Sequence, residues 1–254
     1  MNFKTAIVRE PGPEMIHGIT SANLGRPNFE KALEQHGQYV KALEELGLEV
    51  HLLKADPRYP DGTFVEDTAL CTSRCAVITN PGAPARKGEQ DEMQVVLGNW
   101  YERIEEIVPP GTLDAGDVMM AGSHFFIGLS GRTNPDGANQ LIQILEKYGF
   151  RGSTVSLEGL LHLKSGISYL ENDTILAGHE LQGHPAFSRF HMIPVDLEES
   201  YAANSLWING TVLIPAGFNR TMEKIEKAGY NTISLHVSEF RKLDGGLSCL
   251  SLRF

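Results

Sequence analysis

The chain has little cysteine, a shortage of positive charge and no long apolar run, and each of these closes off a class of function. Cysteine occurs 3 times in 254 residues, at Cys71, Cys75 and Cys249. An odd and small number cannot build a disulfide framework and suits a reducing compartment. Cys71 and Cys75 lie in TALCTSRCAVIT with no histidine nearby, so they read as two buried thiols on a strand, a turn and a strand, and not as a metal site. Lys and Arg number 22 against 32 Asp and Glu, a net charge of −10. That balance argues against a nucleic-acid partner, which needs a basic face, and fits a small cationic one better. No apolar run reaches the ~18 residues of a membrane span, and the opening MNFKTAIVREPGPE lacks a signal-like apolar region, so a cytoplasmic protein without membrane contact is expected. Low-complexity linkers and blocks of like charge are missing as well, so residues 1–254 read as one domain.

What is present is a repeat. Three amphipathic runs end on glycine and lead into a β-rich stretch: KALEELG before LEVHLL, QILEKYG before FRGSTVSL, and MEKIEKAG before YNTISL. Glycine there is the expected helix C′ residue. Upstream of the last two lies a strand, a tight turn and a second strand, around Gly122-Ser123 and around Asn209-Gly210, the latter a strong hairpin signal. The unit is therefore strand, turn, strand, helix, glycine, strand, about 45 to 50 residues long, a period associated with propeller-like or stacked folds. Units fall at about 62–108, 113–158, 162–196 (with a weakened helix) and 202–236. The remaining pieces make a fifth: Thr5–Val8, a helix from Phe29 to Leu46, Leu48–Leu53, and a strand around Cys249–Leu252. The expectation is an α/β fold of five units closed into a ring by strands from both ends, which removes the free edges. An ordinary α/β sheet with hairpins is the alternative.

The chemistry-bearing residues recur at equivalent points of these units. Cys249 follows two glycines and a serine in GGLSCLSLRF, at the head of an apolar alternation that reads as a strand. His162 stands among leucines at the start of the third unit's strand. Glu66 and Asp67 in DGTFVED, and Asp114 in LDAGD, precede the first strands of their units. Adjacent residues on a strand face opposite ways, so Glu66 and Asp67 act together only if the chain bends there. Each of these residues alone also reads as packing or as a turn former; in a ring, equivalent strand starts converge on the axis and could form one pocket. Arg86 and Arg132 occupy Gly-bearing loops before their helices, where a guanidinium fork could hold a carboxylate, or simply be solvated.

In this order the motifs HGITSANLGRPN, FVEDTALCTSRCAVIT, GTLDAGDVMMAG, GLSGRTNPDGA, LLHLKSG, SYAANSLWIN and KLDGGLSCLSLRF resemble those of the dimethylarginine dimethylaminohydrolases, of the guanidine-modifying pentein superfamily, over essentially the whole chain. The resemblance implies a five-bladed α/β propeller and a cysteine hydrolase that cleaves methylated arginines to citrulline, without metal or organic cofactor. It implies Cys249 as nucleophile, His162 as acid/base and Asp114 as the residue orienting it, where some relatives carry Glu. It further implies Glu66 and Asp67 around the guanidinium, Asp61 with backbone near Ile19 and Leu243 at the α-amino group, Arg86 and Arg132 on the α-carboxylate, and Phe64 and Ser248 as further substrate contacts. Arginine deimination, or hydrolysis of another guanidine, is the alternative within this chemistry, and a non-catalytic pentein scaffold the alternative outside it. A homodimer is compatible with the sequence but is not implied by it.

Overall fold

Each repeat folds into the same small sheet. The computed structural model describes residues 2–254 and contains five three-stranded sheets. They are β3 (Ala69–Cys71), β4 (Ala76–Ile78) and β5 (Ile104–Glu106); β6 (Val118–Ala121), β7 (His124–Leu129) and β8 (Arg151–Ser156); β9 (Ile167–Tyr169), β10 (Thr174–Ala177) and β11 (His191–Pro194); and β12 (Leu206–Ile208), β13 (Thr211–Pro215) and β14 (Asn231–Leu235). The fifth unites the two ends of the chain: β15 (Leu252–Arg253), β1 (Thr5–Arg9) and β2 (Glu49–Leu53). In every sheet the central strand pairs antiparallel with one neighbour and parallel with the other. A tight turn suffices for the first pairing, whereas the second needs a crossover.

Four crossovers are helical: α1 (Phe29–Glu45), α2 (Glu89–Leu97), α3 (Pro135–Lys147) and α5 (Asn219–Lys227); two single turns, α4 (Leu163–Gly166) and α6 (Ser238–Arg241), complete the set. Asn28 and Asn134 cap α1 and α3 through their side chains. Gly47, Gly149 and Gly229 follow α1, α3 and α5 with φ of 88°, 76° and 94°, the left-handed conformation read from the sequence. The remaining crossover, in the 162–196 unit with the weakened helix, is two 3₁₀ turns, His179–Leu181 and Pro185–Phe187. Apolar side chains fill each wedge between sheet and helix, such as Phe125, Ile127, Leu141 and Leu145 beneath α3 and Met93 and Leu97 of α2 against Ile7. Each buried side chain of this size contributes about 2 kcal/mol.

The closing sheet has an extended network. Ala6 and Ile7 pair with Arg253 and Leu252, and Lys4 and Thr5 donate their N–H groups to the Phe254 carbonyl. The Tyr39 hydroxyl of α1 lies 2.6 Å from Ser251 Oγ, and Arg253 donates to the Ser248 carbonyl and to Glu66. The last residues are therefore fixed, as ring closure requires. Among the described residues no helix is long and apolar enough to cross a membrane.

Candidate active site

The segment just before the first strand of every blade is a short turn, and these five turns meet on the axis. They are Val65–Thr68, Ala115–Asp117, α4, Leu197–Ala203 and Ser248–Leu250. The first touches the second and the last, α4 touches the second and the fourth, and Asn204 joins the fourth to the last by hydrogen bonds with the Ser248 N–H and hydroxyl. Each turn or its cap supplies a polar side chain: Asp67, Asp114 with Asp117, His162, Asn204 and Cys249.

Two expectations about local structure change here. Glu66 and Asp67 do precede their strand, on a 3₁₀ turn that supplies the bend, whereas Cys249 sits in a 3₁₀ turn and not on a strand, with β15 beginning at Leu252. A strand would send neighbouring side chains to opposite faces of a sheet; the turn sends Asp67 to the cleft and Glu66 to a second cavity. His162 likewise caps α4, and its strand begins only at Ile167. Gly245 and Gly246 do admit a close approach, but of protein: a Cβ at Gly245 would stand 2.2 Å from the Phe64 ring, and one at Gly246 2.5 Å from the Asn204 amide. They let the Cys249 turn pack against Phe64 and Asn204, and Gly245 also borders the cleft.

A cleft of about 40 Å³ is lined by Ile19, Asp61, Phe64, Asp67, Arg86, Asp114, Arg132, Leu161, His162, Leu243 and Cys249, among others. That is room for about three waters. A larger cavity of about 130 Å³ opens elsewhere along the axis, and Glu66 and Ser248 line it together with Lys164 and Arg253. Glu66 accepts from the Ser248 hydroxyl at 2.8 Å, from Lys164 at 2.7 Å and from Arg253 at 2.8 Å. Of the residues read from the sequence, these two therefore stand behind the Cys249 turn while the others surround the cleft.

His162 Nε2 is 3.1 Å from Asp114 Oδ2, and because a carboxylate has no proton to give, the imidazole is the donor. Asp114 Oδ1 in turn accepts the Gly82 N–H at 2.9 Å. The other ring nitrogen, Nδ1, stands 4.0 Å from Asp67 Oδ1. Burial pulls His162 towards the neutral form, yet Asp67, Asp114 and Asp117 overcome it and hold the pKa at about 9. Cys249 goes the other way. Burial, then the charges of Glu66 and Asp67, push its thiol up to about 12, with the Gly246 N–H and Lys164 opposing. The resting site thus pairs a neutral thiol with an imidazolium.

Asp67 accepts the Gly116 N–H with Oδ1 and Arg86 with Oδ2, at 3.0 and 2.5 Å. Arg86 is also spread over Glu89 and the Phe64 carbonyl. Its fork is therefore largely occupied, and Glu89, which the sequence did not mark, is the reason. Arg132 has no such partner among the described hydrogen bonds and ion pairs, and it borders the cleft. Asp61 accepts the Ile19 N–H with both oxygens, and burial raises its pKa. Asp67, Asp114 and His162 present donor atoms close enough to share a metal ion. All four carboxylate oxygens of Asp67 and Asp114 nevertheless already receive a hydrogen bond from the protein, so nothing in their arrangement requires one.

Five blades around one axis, with thiol, imidazole and carboxylates gathered where the turns converge, define a hydrolase of the pentein type. No family model matches the chain. It is 51% identical over 253 residues to the N(G),N(G)-dimethylarginine dimethylaminohydrolase of Pseudomonas aeruginosa, covering 99% of this chain and 100% of that one. It is 35% identical over 257 residues to the enzyme of that name from Streptomyces coelicolor, covering 100% and 98%. A solved structure of the Pseudomonas aeruginosa protein, a cysteine-to-serine mutant complexed with citrulline, superposes with a TM-score of 0.99 at 50% identity over the full length of both chains. The chain belongs to the dimethylarginine dimethylaminohydrolase family.

Proposed function

We propose that the protein hydrolyses Nω,Nω-dimethyl-L-arginine and Nω-monomethyl-L-arginine to L-citrulline, releasing dimethylamine or methylamine, as a single catalytic unit in the cytoplasm. The observation that carries this reading is the cleft that holds a half-buried thiol, an imidazolium and Asp67 together. Its support is the full-length identity to enzymes of that name and the citrulline bound by one of them.

A guanidinium carbon is a poor electrophile because its charge is spread over three nitrogens, so the cation must be held rigidly against a strong nucleophile. Asp67 supplies the charge that holds it. The same cation, bound beside Cys249, offsets the burial and the carboxylates that keep the thiol protonated, and the thiol gives its proton up to solvent as the substrate arrives, leaving the thiolate. Its sulfur bonds to the guanidinium carbon to give a tetrahedral adduct. His162, already protonated, then gives its proton to the dimethylamine nitrogen, and the C–N bond breaks with the electron pair leaving on the amine. A thiouronium remains on Cys249. The imidazole, now neutral, takes a proton from water, whose oxygen bonds to the same carbon; the C–S bond breaks with its electron pair on sulfur, the new hydroxyl gives its proton to that sulfur, and citrulline leaves with Cys249 again a thiol and His162 again protonated. Arg132 reads the α-carboxylate, while Asp61 and backbone near Ile19 and Leu243 hold the α-amino group.

Incubation with asymmetric dimethylarginine, monomethylarginine, arginine and agmatine, with ureido product measured, tests the reading. Citrulline from the methylated substrates, abolished in Cys249→Ser while the circular dichroism spectrum is kept, is the expected outcome. Preference for unmethylated arginine or agmatine would redirect the function, and near-normal turnover by Cys249→Ser would end the mechanism.

A further inference from the structure

Asp117 has no solvent exposure and lies in the same turn as the cap Asp114. Its two oxygens gather donors from two separate parts of the cleft wall. Oδ1 accepts the backbone N–H of Leu163, next to His162, at 2.9 Å. Oδ2 accepts the hydroxyls of Ser130 and Thr133, on either side of Arg132, at 2.7 and 2.6 Å. Those hydroxyls have no other proton to offer, and their oxygens are already in use: Ser130 Oγ accepts the N–H groups of Arg132 and Thr133, and Thr133 Oγ1 accepts the N–H of Asp114. Every partner therefore points a proton at Asp117, and only an acceptor with no proton of its own satisfies all of them. An asparagine would aim its NH₂ at protons on one side or the other.

We propose that Asp117 is a positioning residue that pins the Arg132 loop and the His162 segment to one point, and so keeps the reader of the substrate's head group in register with the group that protonates its tail. The proposal rests on the roles given above to Arg132 and His162. Its chemical sense lies in the substrate, where a chain of fixed length separates the α-carboxylate from the reacting carbon. A loop that shifts relative to the histidine misplaces one end whenever the other is seated. Asp117 also acts on His162 through its charge, alongside Asp67 from the turn before β3 and Asp114 from its own turn, with Cys249 across the cleft and Arg86 paired to Asp67.

Ser130→Ala and Asp117→Asn separate the two arms. Ser130→Ala releases only the Arg132 side and is expected to raise KM for dimethylarginine about fivefold, with kcat within about twofold of the parent. Asp117→Asn releases both and is expected to raise KM at least as much, lower kcat by about tenfold or more, and move the His162 ring titration, followed by NMR, downward from about 9. A purely structural role would lower the melting temperature and leave that titration in place. Kinetic constants within about twofold of the parent in Asp117→Asn, or an unmoved titration, overturn the proposal. Should Asp117→Asn fail to fold, Ser130→Ala decides: a parental KM overturns the proposal, and a raised KM at constant kcat supports it. The titration needs no substrate, so a parent inactive on methylarginines would remove the proposed function while leaving this measurement to be read on its own.

Discussion

At the scale of single residues, the site is decided by who holds the protons. Burial alone would leave both Cys249 and His162 neutral, and three carboxylates reverse that outcome for the histidine only. Asp114 is the one that touches it, and the Gly82 N–H fixes how Asp114 is turned. Asp114→Asn is expected to lower kcat by about a hundredfold or more and to shift the alkaline limb of the pH–rate profile downward, whereas Asp114→Glu retains substantial activity. Equal losses in the two variants, or a limb that stays in place, would show that Asp114 does not orient the imidazole. Cys249, His162 and Asp114 were legible in the sequence because their types are rare in such contexts and their family motifs stand around them. Glu89 and Asp117 were not. Asp117 matters through a partner 46 residues away on another blade, which no local pattern encodes, while Glu89 lies three residues from Arg86 but has the ordinary look of an acidic residue at a helix start.

At the scale of elements, the sequence disclosed the blades through hairpin turns and C′ glycines, which are local and chemically strict. The turns that carry Cys249 and His162 were misread as strand ends, because a 3₁₀ turn followed by a strand has no periodicity of its own. The Arg132 loop is the instructive case. Glycine at position 82 is required there, since a Cβ would stand 2.2 Å from the Arg132 carbonyl oxygen, so two loops from adjacent blades form one wall. Arg132→Ala is expected to raise KM for dimethylarginine about 10- to 100-fold, the loss of a charge-assisted contact to carboxylate, with little change in kcat. Activity on a methylated agmatine, which has no carboxylate, should hardly respond. A parental KM for dimethylarginine would withdraw the assignment, and with it the contrast drawn between free Arg132 and occupied Arg86.

At the scale of the molecule, two buried histidines set opposite limits on the pH range of stability. His162 has its pKa raised to about 9 in the folded protein, so its stabilisation is full below about 6.5 and disappears as pH rises through 9. His36, buried in α1 with an unpartnered Nε2, is lowered to about 4, so the fold loses stability as pH falls from about 6.5 through 4, where the unfolded chain takes up a proton that the folded one refuses. Each limb is worth up to about 3 kcal/mol. Urea midpoints across pH should peak near 6 to 7, with the acid limb flattened in His36→Leu and the alkaline limb flattened in His162→Gln. Unchanged limbs in these variants would place the pH dependence elsewhere.

The closing sheet gives the ring a mechanical weak point. Residues 4 and 254 lie side by side, and β15 contributes only two paired positions to β1. Tension applied at those two residues reaches the antiparallel pair from its open end, so its hydrogen bonds load one after another and not together. The ring would open there by peeling, while the four hairpin-built blades stay shut. Cys249, three residues before β15, would follow once the bonds of Arg253 to Ser248 and Glu66 and of Tyr39 to Ser251 had given way. The thiol is thus fastened to the part of the molecule that force would remove soonest, and catalysis would report an intact ring well before any loss of the remaining blades.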